Sequence, residues 1–123
     1  MIYCGIDIIE IARIKNSIDE IGEAFIHKIY TKNEIAYCES KKNQRYQHYA
    51  ARFAAKEAAF KAISKLIKNK YDISWQDIEV LNDENGRPKI TIFKLDYTNI
   101  KNVDISISHN KENAIANVIL LMK

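Results

Sequence analysis

The chain has 123 residues, of which 47% are hydrophobic and 28% are charged, and its formal net charge at pH 7 is +3. This length and composition predict one globular domain over residues 1–123, with a modest core that an oligomer would help to complete. The mild charge gives no reason to expect nucleic acid as a partner, although the basic residues could still form a local patch.

Cys4 and Cys38 are the only cysteines, and they have neither the number nor the spacing of a disulfide framework or a metal site. Cys4 lies in the apolar N-terminal run, so we expect a buried thiol there. The sequence contains no apolar run of ~18 residues and no leader-like segment, which predicts a cytoplasmic protein with no membrane partner.

The N-terminal third predicts a strand followed by short helices. The apolar, β-branched run Ile2–Ile9 indicates a buried strand, and alternation along it places Gly5 and Asp7 on one face. Thr31 and Glu34 have the spacing of a capping box, which marks the start of a helix. The helices expected here are Ile11–Ile21, Glu23–Ile29 and Thr31–Glu39, followed by a polar loop over Ser40–Gln44.

A long helix is expected in the middle of the chain. The segment Arg45–Ile67 contains no glycine or proline. The seven-residue spacing of Phe53, Phe60 and Ile67 predicts the stripe that faces the core. A neighbouring stripe of small residues would let a ligand or another backbone come close to Glu57; it consists of Ala50, Ala54 and Ala58.

The last third has the composition of strands joined by turns. The turn residues of Asn82–Gly86 and Asn110–Asn113 each indicate a hairpin. The expected strands are Ile78–Leu81, Lys89–Phe93, Val103–Ser108 and Ala114–Leu121. Together with the helices, they predict the α+β class, with a small antiparallel sheet packed against the long central helix.

Two carboxylates stand out as candidate metal ligands. Asp7 lies within an apolar strand, where a carboxylate must be paired, protonated or bound to a metal. Glu57 lies in the long helix beside the alanine stripe. A strand acid and a helix acid suggest a site for a hard divalent cation. A structural ion pair, or a cap on the following helix, remains the alternative for Asp7.

Basic residues around Glu57 suggest that a phosphorylated ligand binds beside it. Glu57 and Lys61 are four residues apart and share a helix face, so a plain exposed ion pair is the alternative interpretation. Arg52 and Lys56 have the same spacing on a neighbouring face and would form a cationic edge for phosphate oxygens. With only three glycines and no P-loop pattern, phosphate binding must come from side chains.

Taken together, these motifs resemble those of the holo-(acyl-carrier-protein) synthases, the small bacterial type of 4′-phosphopantetheinyl transferase. The similarity spans essentially the whole chain in the family's order. The segments that carry it are Gly5–Glu10 with Arg13 and Ile14, Thr31–Glu34, Arg52–Ala58 with Lys61, Asn85–Pro88, and Ser106–His109.

The resemblance implies a Mg²⁺-dependent reaction in fatty acid biosynthesis, with coenzyme A as co-substrate. The serine hydroxyl of an acyl carrier protein attacks the β-phosphorus of coenzyme A, and adenosine 3′,5′-bisphosphate leaves. By this resemblance Asp7 and Glu57 hold the metal, and Lys61 neutralises phosphate charge. Either Glu57 or a metal-bound water that it orients takes the serine proton.

The same resemblance implies a homotrimer with active sites at subunit interfaces. The residues implied in coenzyme A binding are Arg52, Lys56, Lys61, Gly86, Pro88, Ser108 and His109. A basic, partly apolar face for the acidic carrier protein would be formed by Arg13, Lys15, Phe25 and Lys28. From the residues alone, His109 could equally be a loop residue at a strand end, and Gly86–Pro88 a plain turn.

Two other functional classes remain open on the sequence. The first is another metal-dependent phosphotransferase or a hydrolase that uses the same carboxylates, although no further acidic cluster is evident to activate water. The second is a non-catalytic module, for example for nucleic acid, given seven tyrosines and 19 basic residues. The aromatic residues do not interleave with basic ones on one predicted strand, which argues against that class.

Overall fold

The computed structural model of the protein describes residues 1–69 and 71–123 and confirms the α+β class. Four α-helices occupy the first half, and most of the strands follow them. In chain order the elements are β1 (Ile2–Glu10), α1 (Ile11–Ile21), α2 (Glu23–Ile29), α3 (Lys32–Ser40), α4 (Arg45–Ile63), β2 (Ile78–Asn82), β3 (Pro88–Ile92), β4 (Ile100–His109) and β5 (Asn113–Met122), with short 3₁₀ turns at Lys42–Gln44 and Trp75–Asp77.

The strands form an antiparallel three-stranded sheet and a separate hairpin. In the sheet β5 lies between β1 and β4, and the predicted turn after His109 joins β4 to β5. Asp7 on β1 lies opposite Ala116 on β5, and His109 on β4 lies opposite Ala114. The hairpin consists of β2 and β3. This order places Asp7 and His109 on the outer strands of the sheet.

Helix α4 packs across the sheet through alanine residues rather than through large side chains. Seven alanines of α4 are buried, and the five that belong to the core cluster with the sheet are Ala54, Ala55, Ala58, Ala59 and Ala62. A Cβ atom added to Gly5 would lie 2.0 Å from the carbonyl oxygen of Ala58, so the backbones of β1 and α4 are in direct contact. Glycine and alanine are therefore required where the strand crosses the helix.

The prediction that Phe53, Phe60 and Ile67 form the core stripe of the long helix is wrong. The side chains of all three are only partly buried, and α4 ends at Ile63 rather than at Ile67. The reason is the close approach of β1, which leaves room only for small side chains where the strand crosses α4. Phe53 and Phe60 instead flank the ring of Trp75.

The capping predictions are confirmed. Thr31 is the N-cap of α3, its hydroxyl accepts from the Glu34 backbone, and the Glu34 side chain accepts from the Thr31 backbone. Gly22 ends α1 with a positive φ of 75°, a conformation that favours glycine. The segment after α3 differs from the expected loop in that Lys42–Gln44 form a 3₁₀ turn.

The strand β1 alternates as predicted, but one of its faces is uncovered in the single chain. The face that carries Gly5 and Asp7 lies against α4, whereas Ile2, Ile6 and Ile8 are 54–63% exposed. Cys4 shares that outer face and is exposed, so the expectation of a buried thiol is wrong. No helix in the described part of the chain is long and apolar enough to cross a membrane.

Candidate active site

The crossing of β1 and α4 brings together Asp7, Glu57 and Lys61. The Lys61 Nζ atom donates to the carbonyl oxygen of Ile6 at 2.9 Å and to Asp7 Oδ1 at 3.3 Å. Asp7 is mostly buried, with 18% of its side chain exposed, whereas the Lys61 side chain is 55% exposed. The lysine thus lies at the mouth of the site and the strand carboxylate lies inside it.

The two carboxylates interact electrostatically. Burial raises the pKa of Glu57, the negative charge of Asp7 raises that pKa further, and the Lys61 ammonium opposes both effects. The single positive charge of Lys61 therefore faces two carboxylates, so the site carries a net negative charge when both are ionised. Within residues 1–69 and 71–123, no group of three or more His, Cys, Asp or Glu side chains could hold a metal ion. Further ligands to a cation here would have to be water or substrate oxygens.

Polar and cationic groups lie on the N-terminal side of Glu57 along α4. The imidazole rings of His48 and His109 have centroids 6.5 Å apart, which places the end of β4 beside α4. The Arg52 guanidinium lies 4.2 Å from the ring centroid of Tyr37. Its hydrogen bonds are long, at 3.5 Å to the His48 carbonyl and 3.4 Å to Asn82 Oδ1. Arg52 Nε has no hydrogen-bond partner among the described residues.

Burial, helped by neighbouring cations, keeps the His48 side chain neutral. Burial lowers the pKa of His48 to about 4, and the neighbouring cations Arg52 and Lys41 and the side chain of His109 contribute to the decrease. A neutral imidazole at neutral pH can accept a hydrogen bond at one nitrogen and donate at the other. This region of the protein is therefore electropositive even without a charge on His48.

The predicted cationic edge of Arg52 and Lys56 is wrong, because both side chains point inward. Arg52 is 2% exposed and Lys56 is fully buried. The Lys56 Nζ atom lies 2.6 Å from Glu34 Oε1 and donates to the carbonyl oxygens of Ile29 and Trp75, at 2.6 Å and 3.0 Å. A buried ammonium needs such partners, so Lys56 connects parts of the protein to each other.

An apolar pocket of about 710 Å³ opens on the C-terminal side of Glu57. Its wall contains Trp75, whose ring stacks on Phe53 at 5.1 Å between centroids and meets Phe60 edge-on at 5.2 Å. The residues that line the pocket are Lys28 of α2, Glu57, Phe60, Ser64, Ile67, Lys68, Tyr71, Ile73, Ser74 and Trp75. The site therefore has one polar side and one apolar side along the same helix.

The remaining predicted ligand-binding residues are spread over two surfaces. Ser108 and His109 are neighbours on β4, so alternation places His109 on the α4 side and Ser108 on the outer face. The turn with Gly86 and Pro88 lies at the tip of the β2–β3 hairpin, where the Gly86 backbone N–H donates to the Asp83 carbonyl oxygen. Among the described residues, a side-chain hydrogen bond joins this hairpin to α4 through Asn82 and Arg52.

The predicted docking residues lie on α1 and α2. Arg13 is exposed, and Lys15 is exposed but paired with Asp19 at 2.9 Å. The Phe25 ring is half-buried against Tyr30, with centroids 6.3 Å apart. Lys28 lies at the rim of the apolar pocket beside Glu57. Of these residues, Lys28 is therefore the one that shares a pocket with Glu57.

Sequence analysis missed His48 and Trp75. His48 precedes Arg52 by four residues in a predicted helix, and this spacing could have placed it on the same face. Trp75 is the only tryptophan of the chain and follows a polar segment. No periodic pattern linked it to the helix, because its contact with Phe53 and Phe60 depends on the tertiary fold.

Comparisons with known proteins agree with this arrangement. A family model described as the 4′-phosphopantetheinyl transferase superfamily matches residues 3–118. The holo-(acyl-carrier-protein) synthase of Chlorobaculum tepidum is 46% identical over 112 residues, which cover 91% of this chain and 92% of that protein.

Solved structures show the same fold. The Helicobacter pylori holo-(acyl-carrier-protein) synthase in complex with coenzyme A superimposes with a TM-score of 0.82 at 34% identity, covering 96% of this chain and 99% of that one. The Bacillus anthracis enzyme in complex with coenzyme A (3′,5′-ADP) gives a TM-score of 0.74 at 39% identity, over 96% and 94% of the two chains. The extent of these matches, together with the strand and helix carboxylates in one site, shows that this chain belongs to the 4′-phosphopantetheinyl transferase superfamily.

Proposed function

We propose that the protein transfers 4′-phosphopantetheine from coenzyme A to a serine of an apo-acyl carrier protein, as a step of fatty acid biosynthesis. The observation that carries this proposal is the convergence of Asp7, Glu57 and Lys61 at the crossing of β1 and α4. The names of the relatives, holo-(acyl-carrier-protein) synthases, support the same reaction.

The donor set suits Mg²⁺. Asp7 and Glu57 offer carboxylate oxygens. Burial and, after it, the charge of Asp7 raise the pKa of Glu57, and a divalent cation between the two carboxylates would relieve their repulsion. Magnesium is usually held by one or two carboxylates together with substrate phosphates and water. When bound, the ion would neutralise charge on the pyrophosphate and orient it.

The chain's own residues then position the reaction and move its proton. The ammonium of Lys61, at the mouth of the site, binds phosphate oxygens. The serine oxygen forms a bond to the β-phosphorus while the bond to the bridging oxygen of the α-phosphate breaks. Adenosine 3′,5′-bisphosphate leaves with that oxygen. The serine proton passes to Glu57, directly or through a water that Glu57 orients.

The nucleotide would bind on the polar side of Glu57. His109 lies there beside His48, and the buried Arg52 guanidinium, whose Nε atom has no hydrogen-bond partner among the described residues, would add positive charge behind it. Lys56 takes no part, because its ammonium is fully used inside the protein. Ser108 and the hairpin turn at Gly86 and Pro88 would contact coenzyme A held at a neighbouring subunit, since neither belongs to the cluster around Glu57.

A homotrimer is part of this proposal. The sheet face that points away from α4 carries apolar side chains on β1 and β5 that are 38–63% exposed in the single chain, namely Ile2, Ile6, Ile8, Ile119 and Leu121. Exposed apolar area of this kind marks an interaction surface. Burying it between subunits would also bring Ser108, which lies on the same face, to the interface.

The carrier protein would dock on α1 and α2. Arg13, Lys15 and Lys28 supply positive charge for an acidic partner, and Phe25 adds an apolar contact. Lys28 also lies at the rim of the pocket beside Glu57, so docking there would deliver the serine to the site. A cytoplasmic location belongs to the same proposal and agrees with two free cysteines.

Mass spectrometry of an apo-acyl carrier protein incubated with the protein, coenzyme A and Mg²⁺ tests the proposal. We expect the carrier to gain one phosphopantetheine group. Asp7→Asn and Glu57→Gln should each lower the rate by about 10²-fold or more, as loss of a central electrostatic contact does, without lowering the melting temperature. Glu112→Gln, an exposed acid in the β4–β5 turn, serves as the control. No mass gain with the unaltered protein would overturn the proposal.

A further inference from the structure

Four basic side chains lie together beside the N-terminal half of α4 and form a basic cluster. They are Lys41, which follows α3, His48 and Arg52 of α4, and His109 at the end of β4. The Lys41 ammonium and the Arg52 guanidinium lie 4.8 Å and 4.2 Å from the ring centroid of Tyr37. The His48 ring meets Tyr37 edge-on at 5.4 Å and lies 6.5 Å from the His109 ring between centroids. Among the described residues, no carboxylate oxygen lies within 4 Å of a side-chain nitrogen of the cluster.

The basic cluster also has unused hydrogen-bonding groups. Arg52 is 2% exposed, its Nε atom lacks a partner in the described part of the chain, and its hydrogen bonds to the His48 carbonyl and Asn82 are long, at 3.5 Å and 3.4 Å. Within residues 1–69 and 71–123, the ring nitrogens of His48 and His109 form no hydrogen bond. A buried guanidinium without a counter-ion is costly, so the cluster is suited to an anionic ligand.

Coenzyme A supplies such an anion, because its nucleotide end carries a phosphate monoester in addition to the pyrophosphate. We propose that His48 takes up a proton from solvent when this monoester binds at the basic cluster, so that the affinity for coenzyme A depends on pH. The inference deepens the proposed function and rests on it, because it requires the nucleotide on the polar side of Glu57.

The coupling follows from the surroundings of His48. In the free protein, burial and then the groups Arg52, Lys41 and His109 lower the pKa of His48 to about 4, so the ring is neutral at pH 7. Tyr37, which packs against the ring from α3, adds no charge at that pH. A phosphate dianion beside the ring would offset the repulsion from Arg52 and Lys41. An opposite charge at such short range raises the pKa of a basic group by roughly 1–3 pH units.

The direction of the pH dependence follows by linkage. A ring that holds its proton more tightly in the complex than in the free protein makes binding stronger as the pH falls. The phosphate monoester also titrates, with a pKa of about 6, and a cationic site favours its dianion. That contribution weakens binding as the pH falls. It is present with or without His48, so the difference between the unaltered protein and a variant at position 48 isolates the contribution of the imidazole.

Titration calorimetry with coenzyme A, in buffers of different ionisation enthalpy, counts the protons taken up on binding. Near pH 6 the unaltered protein should take up about half a proton more than His48→Gln, as a pKa raised by about two pH units requires. Between pH 8 and pH 5 its affinity relative to the variant should rise by about tenfold. His27→Gln, which removes an exposed histidine of α2, is the matched control and should behave like the unaltered protein. Equal proton uptake by the unaltered protein and His48→Gln would overturn the inference.

Dephospho-coenzyme A, which lacks the monoester, shows where the coupling originates. With this ligand, the unaltered protein and His48→Gln should take up the same number of protons. An uptake that still depends on His48 would overturn the assignment to the monoester.

An NMR titration of the unaltered protein keeps the test decisive if His48→Gln does not fold. The chain has only three histidines, so the ring signals can be assigned by comparison with the other two single variants. The His48 ring should titrate at about pH 4 without ligand and at least about one pH unit higher with coenzyme A. An unchanged titration overturns the inference, whereas a failure to bind coenzyme A overturns the proposed function itself.

Discussion

Gly5 on β1 and Ala58 on α4 are in backbone contact, so close that a Cβ atom on Gly5 would lie 2.0 Å from the Ala58 carbonyl oxygen. Asp7 follows Gly5 by two residues on the same strand face, and Glu57 precedes Ala58 on the helix. The separation of the two carboxylates is therefore set by main-chain contact. Side-chain packing has little part in it.

This contact predicts that Gly5→Ala impairs both stability and transfer. The added methyl group cannot be accommodated unless β1 moves away from α4, and overpacking of this kind costs ~1–3 kcal/mol. The same movement separates Asp7 from Glu57, so kcat should fall as well. Urea unfolding and a transfer assay measure the two effects. Gly22→Ala is the matched control: the new Cβ meets no atom within 4 Å, and activity should persist despite backbone strain at φ 75°.

The buried pair of Lys56 and Glu34 predicts a strong coupling between two substitutions. Lys56→Met alone leaves the Glu34 carboxylate buried without its cation, and breaking a buried pair typically costs ~3–5 kcal/mol. Glu34→Leu alone should cost a similar amount. The double variant should recover part of the loss, because no charge is then buried without its partner. The rest remains, since the Val80 N–H and the carbonyl oxygens of Ile29 and Trp75 lose their hydrogen bonds. Denaturant unfolding of the four proteins gives the coupling energy, and purely additive losses would contradict the prediction.

The lowered pKa of His48 predicts a specific acid sensitivity of the ligand-free protein. The folded state resists protonation until about pH 4, whereas the unfolded state binds the proton near its ordinary pKa of 6.5. Unfolding therefore takes up a proton between these values, and this contribution lowers stability as the pH falls from about 6.5 to about 4. The full pKa shift of His48 corresponds to a change of about 3 kcal/mol in the free energy of unfolding. Solvent screening at this half-buried ring reduces that contribution to about 1 kcal/mol.

Comparison of His48→Gln with the unaltered protein isolates that contribution. The variant should lose less stability between pH 7 and pH 4.5, since it removes the group that takes up the proton. Urea unfolding at several pH values measures the difference. Parallel stability curves for the two proteins would show that His48 is not the source of the acid sensitivity.

The docking surface predicts a selective effect of Arg13→Glu. Arg13 is exposed, and charges at the rim of an interface act mainly on the rate of encounter. The apparent KM for carrier protein should rise and its salt dependence should weaken, while coenzyme A binding stays unchanged. Steady-state kinetics at two ionic strengths measure this. Impaired coenzyme A binding with intact carrier affinity would contradict the division of the surface into docking and nucleotide sides.

The outer face of the sheet predicts the loss of assembly in Ile6→Glu. Ile6 is 54% exposed in the single chain and lies on the face that we assign to the trimer. A carboxylate there would be buried without a partner if the subunits associated. Light scattering should give a trimer for the unaltered protein and a smaller species for the variant. A monomer mass for the unaltered protein at micromolar concentration would refute the trimer and the shared site together.

Local signals in the sequence were enough to predict most of the elements. The capping box at Thr31 and Glu34, the periodicity of α1 and the turn residues after His109 all act between neighbours in the chain, and the structure confirms them. The convergence of Asp7 and Glu57 was implied by the family resemblance, whereas the residues alone left an ion pair or a helix cap open for Asp7.

The predictions that failed concern which faces of the helices and strands pack against each other in the folded protein. The same four-residue spacing that links Glu57 to Lys61 also links Arg52 to Lys56, yet only the first pair reaches the surface. The difference arises from Glu34, which lies 22 positions before Lys56 in the chain and forms a buried ion pair with it. Cys4 was misjudged for a related reason: an apolar run does not show which strand face a helix will cover.

The exposed isoleucines of β1 also bear on how much of the protein a cell must contain. A lone chain would present Ile2, Ile6 and Ile8 to water, and its folding stability would be linked by mass action to the supply of other chains. Activity per chain should then fall on dilution and recover on concentration. Low expression would reduce the output of the protein more than in proportion to its abundance, so its synthesis rate would act as a threshold for carrier-protein loading.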